Sequence, residues 1–144
     1  MRIVRLILSA ALAVSALVGI EILSTDYWLW SAAPTHAYGL VVFVALDAML
    51  ILGTWRALRP AVFGALLTAT IQLTAMIGDV IQGQPAGTPA AAFRSYLLAD
   101  TAYLGLFVAQ VLIMATVVGT WTLPYLHSHN LSSLKTVETS PTPA

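Results

Sequence analysis

The sequence predicts an all-α integral membrane protein built as an antiparallel four-helix bundle. Three observations carry that expectation. Of 144 residues, 59% are hydrophobic and only 8% are charged, far from the mix of a soluble globular chain. Four apolar stretches each reach the roughly 20 residues that a helix needs to cross about 30 Å of hydrocarbon. The links between them are short, which makes successive helices antiparallel neighbours. Such runs are too long and continuous for barrel strands, so helices alone can satisfy their backbone polar groups within lipid.

The first span is expected over Ile3 to Ser24. Ala11, Ser15 and Gly19 recur every fourth residue along it, a small-residue face that lets another helix approach closely. Arg2 and Arg5 ahead of an apolar run with small residues at Ala13 and Ser15 also fit a cleaved signal peptide ending near Ser15. The run continues to Ile22 and Leu23, past the length of such a segment, and favours a retained span. An outer loop with Tyr27, Trp28, Trp30 and Pro34 follows. The second span, His36 to Arg56, carries Asp47, and a tight turn through Pro60 leads into the third, Ala61 to Gln82. There Gly64, Thr68, Gln72, Ala75 and Asp79 line up at helical spacing.

A Gly/Pro loop from Gly83 to Ser95 precedes the fourth span, Tyr96 to Leu123. On that span Tyr96, Asp100, Tyr103, Phe107, Gln110, Met114, Val117 and Trp121 form an alternating four-three stripe, the seam spacing of packed helices. Residues 1–123 thus make the helical domain. The polar, proline-bearing tail over residues 124–144 cannot bury a core and is expected to be mobile.

Positive charge sets the orientation. Arg2, Arg5, Arg56, Arg59 and Lys135 fall on one side and Arg94 alone on the other, which predicts a multi-pass cell-membrane protein with both termini cytoplasmic. Tyr27, Trp28, Trp30, Tyr38, Trp55, Tyr96, Trp121 and Tyr125 all lie near span ends, where amphipathic rings mark the headgroup level.

Ionisable groups inside a span cost about 2.5 to 3.5 kcal/mol each near the centre, so they turn inward and commonly carry a role. Glu21, His36, Asp79 and Asp100 fall about a turn below the outer surface, with Asp26 and Arg94 just above them. Asp47, Gln72 and Gln110 form a second layer near mid-depth. His36 and Asp47 share a helix face to within about 20°, as do Gln72 and Asp79. The expected interior is therefore polar in its outer half.

Composition excludes several functions. Six basic and six acidic residues cancel, leaving no basic surface for a phosphate backbone, so nucleic acid is not an expected partner. With no cysteine, thiol nucleophiles, thiolate metal sites and iron–sulfur clusters are ruled out. No Gly-x-Ser-x-Gly or His-Glu-x-x-His run is present, and the sequence leans away from an enzyme. The favoured expectation is an accessory or structural subunit of a larger membrane complex, its partners being the bilayer and other subunits or further copies of itself. In that reading the polar layers are interhelical glue.

The first alternative is a proton-coupled or cation transporter using Asp47 or Asp79. The second is a site near the outer surface. Glu21, His36, Asp79 and Asp100 offer one nitrogen and three carboxylates to a divalent metal, or a quinone sits among His36, Asp47 and the aromatic rings. No cofactor is predicted outright. His127 and His129, beyond the fourth span, read as solvated.

Overall fold

The computed structural model describes residues 2–82 and 90–138, and every described element is a helix. They are α1 (Arg2–Thr25), α2 (Tyr27–Ala32), α3 (Pro34–Trp55), α4 (Arg59–Gln82), α5 (Ala90–Ala99) and α6 (Thr101–Glu138). Four contain apolar stretches long enough to cross a membrane: Ile3–Thr25, Pro34–Trp55, Arg59–Ile81 and Thr101–Trp121. The first three coincide with the expected spans to within two residues at each end, and the fourth starts five residues after the expected Tyr96. Most of the expected loop after Gln82, and the tail beyond Glu138, lie outside the described residues.

Local chemistry sets the boundaries. The Asp26 carboxylate accepts from the Leu29 amide at 3.0 Å and caps α2, a short helix within what the sequence reads as a loop. Pro34 opens α3 in the first turn, where its missing N–H costs nothing. At the other end of α3, Leu58 N–H donates to Gly53 C=O and Ala57 N–H to Thr54 C=O, each at 3.0 Å. That paired 6→1 and 5→2 pattern places Ala57 at φ 60°, a left-handed position usually filled by glycine.

The fourth long helix begins later than expected. Asp100 falls between α5 and α6, and its Oδ1 accepts from the Ala102 amide at 2.8 Å. A carboxylate so placed caps a new helix, so the stretch read as one span from Tyr96 is broken there. The segment 90–95, expected in a loop, belongs to α5. The α6 backbone continues past Leu123 to Glu138.

The long helices pack in a ring: α1 against α3 and α6, and α4 against α3 and α6. Its interior has three layers. Leu8, Leu12, Ala65, Ala69, Ile113 and Val117 form the largest apolar cluster. Ile22, Met76 and Leu106 form a smaller one two to three helical turns along. Between them are Ser15, Asp47, Gln72 and Gln110, all buried. The small-residue face of α1 performs as its spacing suggests: Ala11, Ser15 and Gly19 are buried, and a Cβ built on Gly19 would come within 2.6 Å of Val44 Cγ2. That close approach brings Ser15 and Asp47 within bonding reach.

Candidate functional site

The mid-depth layer divides into a sealed network and a side chain that lines a cavity. Gln110 Nε2 donates to Ser15 Oγ at 2.7 Å, and Ser15 Oγ donates to Asp47 Oδ2 at 2.5 Å. One hydroxyl thus ties α1, α3 and α6 together. Asp47 is 1% exposed and Gln110 fully buried, yet among the described residues Asp47 Oδ1 and Gln110 Oε1 have no hydrogen-bond partner. Neither residue lines the cavity under α2. Gln72, 3% exposed, also has a buried Oε1 with no hydrogen-bond partner among the described residues, but its side chain lines a cavity.

That cavity has a volume of about 310 Å³ and sits between α1, α3, α4 and α6 under α2. Its walls are mainly apolar: Ile22, Leu40, Phe43, Met76, Leu97 and Leu106. Trp28 and Leu29 reach it from α2, which is pinned in place. Trp30 Nε1 donates to Leu23 C=O at 2.8 Å, and the Trp30 ring meets Tyr38 edge-on with centroids 5.8 Å apart. The lining at one end is acidic. Asp26, Asp79, Asp100 and His36 line the cavity, and among the described residues no lysine or arginine does.

His36 Nε2 and Asp79 Oδ1 pair at 3.0 Å across α3 and α4, with side chains 52% and 23% exposed. Both groups are wet enough that the pair contributes little to stability and stays available to a ligand. The Tyr103 hydroxyl is committed elsewhere, donating to Met76 C=O at 2.8 Å. On α4, Gln72 and Asp79 are seven residues apart, about two turns or 10 Å along the axis. His36 and Phe43 have the same separation on α3. The lining therefore extends about 10 Å along the helices, acidic at one end and reaching the Gln72 amide side chain toward the other.

Of the polar set the sequence singles out, His36, Asp79 and Asp100 meet at the cavity, Gln72 faces it, and Asp47 and Gln110 join the sealed network. Glu21 departs from expectation. It lies on the exposed side of α1 and does not line this cavity, because the buried face at that height belongs to Ile22. Among the described residues, no three of His, Cys, Asp and Glu come together in a way that could hold a metal ion, so the candidate set Glu21, His36, Asp79 and Asp100 does not converge. The sequence places Asp26 and Trp28 near the outer surface and Ser15 on a small-residue packing face, without marking Asp26 and Trp28 as cavity lining or Ser15 as a hydrogen-bonding tie. A pairing such as Ser15 with Asp47, 32 residues apart, leaves no mark in local spacing. No protein-family model, curated protein or solved structure matches the chain.

Proposed function

We propose that this chain is an integral membrane protein, an antiparallel four-helix bundle with cytoplasmic termini, whose work is to hold a small, largely apolar molecule in the cavity under α2. The cavity is the observation that carries this reading. It is lined by residues of all six helices, lies near the low end of the volume range of small-molecule sites, and combines apolar walls with a few polar groups.

Membrane insertion is supported by the outward faces. Leu17, Val42, Met49, Leu67, Ile71, Val108 and Leu112 are exposed large hydrophobics spread over all four long helices. Hydroxyls on those faces are satisfied internally: Thr70, Thr74 and Thr116 each donate to the carbonyl one turn earlier at 2.7 Å. That is how a lipid-facing threonine avoids an unmet polar group. The antiparallel arrangement is supported by Arg5 and Trp55 lining one recess at the end opposite His36 and Asp79. The arginine excess at that end favours placing it in the cytoplasm.

A second reading, an accessory or structural subunit of a larger complex, is favoured by the Ser15–Asp47–Gln110 network, which joins three helices and does not reach the cavity under α2. The two readings are compatible, since a subunit can carry a ligand. Cation or proton transport finds a better candidate in Asp79, at the cavity, than in the sealed Asp47.

Native mass spectrometry of the protein released gently from its own membrane tests the proposal, with Gly39→Leu as comparison. Gly39 lines the cavity, and a Cβ there meets nothing within 4 Å, so leucine fills space without a clash and also suits a helix better. A small molecule retained by the wild type and lost from Gly39→Leu supports the cavity reading. Identical spectra for the two, with no bound mass, overturn it, and stoichiometric larger chains favour the subunit reading.

A further inference from the structure

We infer that the recess between the start of α1 and the end of α3 holds one anionic glycerophospholipid, with its phosphate at Arg5 and an acyl ester carbonyl at Ser9. This rests on the membrane reading and is independent of the cavity under α2.

Arg5, Leu6 and Ser9 of α1 and Trp55 of α3 line this recess, which has a volume of about 210 Å³. Arg5 lies in the first turn of the Ile3–Thr25 stretch, and Trp55 is the last residue of Pro34–Trp55. Both therefore stand at a span boundary, the level at which a bilayer carries its headgroups. Leu6 is exposed beside them and offers an apolar surface to the start of an acyl chain.

An arginine and a tryptophan at a span end would by themselves be depth anchors. Ser9 is the independent observation. It is 7% exposed, yet among the described residues its hydroxyl makes no hydrogen bond. Other hydroxyls of the bundle are met: Thr54 donates to Leu50 C=O at 2.7 Å, and Ser15 is bonded to both Gln110 and Asp47. The Ser9 hydroxyl also differs from Asp47 Oδ1, Gln72 Oε1 and Gln110 Oε1, which are unpartnered and closed off; it keeps access, and the recess is what its residue lines. An unmet hydroxyl inside an apolar stretch is costly, and only the bilayer can supply its acceptor here. Ser9 lies one helical turn, about 6 Å, deeper than Arg5 on the same side of α1. A glycerophospholipid has that layout, with ester carbonyls just below its phosphate, whereas a free phosphate ion has nothing to offer a turn deeper.

Charge selects an anionic lipid. Arg5, Arg56 and Arg59 are at this end, while Glu21 and Asp79 lie toward the other end of their spans and Asp47 is sealed at mid-depth. Among the described residues Arg5 has no ion-pair partner, so its charge is unmatched until a phosphate meets it.

The test is native mass spectrometry of the full chain released from liposomes of equal parts phosphatidylglycerol and phosphatidylcholine. The wild type is expected to retain one phosphatidylglycerol, favoured about fivefold over phosphatidylcholine. Arg5→Gln should abolish that preference. Arg59→Gln removes an equal charge at the same end but outside the recess, and should keep most of it. Ser9→Ala breaks no hydrogen bond among the described residues. It should weaken retention of ester-linked phosphatidylglycerol about fivefold and leave the ether-linked analogue, which lacks the carbonyl, unchanged.

Equal losses from Arg5→Gln and Arg59→Gln, or a Ser9→Ala effect that is absent or shared by both linkages, overturn the site while the membrane reading stands. Full displacement of the lipid by excess inorganic phosphate overturns the lipid as occupant in favour of a free anion. A chain that alkaline carbonate strips from the liposomes is not inserted, and the membrane reading then falls together with the site.

Discussion

Deleting the Ser15 hydroxyl should destabilise the protein far more than its size suggests. Ser15 is 1% exposed and is both the acceptor for Gln110 Nε2 and the donor to Asp47 Oδ2. Because Asp47 Oδ1 and Gln110 Oε1 already lack partners, Ser15→Ala leaves every polar side-chain atom of both residues unmet. Interhelical hydrogen bonds in membrane proteins average about 0.6 kcal/mol and reach about 1.7, so two in one buried network give about 1 to 3 kcal/mol. The orphaned atoms push toward the upper figure, and a loss of about 2 to 3 kcal/mol is expected.

Reversible unfolding in detergent micelles titrated with dodecyl sulfate, followed by circular dichroism, measures it. The asymmetry of hydrogen-bond energetics supplies a control: Ser15→Ala combined with Asp47→Leu and Gln110→Leu removes donors and acceptors together and should recover most of the loss. Asp47→Asn, which keeps an acceptor for Ser15, should stay within about 1 kcal/mol of wild type. A Ser15→Ala loss below about 0.5 kcal/mol would refute the reasoning, because the hydroxyl could not then be the tie between three helices.

Two further outcomes follow from the helix ends. Ala57 holds a left-handed φ of 60° that costs a non-glycine residue about 1 to 2 kcal/mol. Ala57→Gly relieves that strain but adds freedom to the unfolded chain, so a net gain of about 0.5 to 1 kcal/mol is expected, visible as a raised thermal midpoint. At Asp100, alanine removes the acceptor for the Ala102 amide and should cost about 1 kcal/mol, whereas asparagine keeps it and should cost at most a few tenths. Unfolding midpoints that fail to separate the two substitutions would mean the carboxyl does not cap α6.

The long helices were legible because length and apolarity are local quantities, and a span from Pro34 to Trp55 announces itself in any window of its size. Their interruptions were not. Asp100 lies on an otherwise continuous four-three stripe, and only its bond to the Ala102 amide reveals a cap rather than an interior acid. Tyr27–Ala32 is too short to show a period, and its helix depends on the Asp26 cap and on Trp30 reaching back to Leu23. The site was half legible: His36 and Asp79 stand out as polar groups at matching depth on two helices, and the fold pairs them at 3.0 Å. Glu21 has equal standing in the sequence but the wrong azimuth, and azimuth is fixed by which residues of α1 face α3 and α6. Depth can be counted from a span end, while direction around the axis depends on the neighbours.

That distinction sorts the polar residues into two chemical situations. Asp47 and Gln110 lie where helices close completely, and a hydroxyl from the small-residue face of α1 fills the gap between them. Gln72 lies at similar depth on α4 but where the helices do not close, so its side chain lines a cavity instead of meeting a serine. The difference traces to packing around α1. Gly19 lets α3 come so close that a Cβ there would collide with Val44, and that contact draws Ser15 onto Asp47. α4 touches α3 and α6 rather than packing along α1, so no hydroxyl of α1 is bonded to Gln72, and the interior opens toward Asp79 and His36. One small-residue face thereby accounts for both the sealed network and the cavity beside it. The polar atoms in the first are arranged to hold helices, and those in the second are left facing whatever enters.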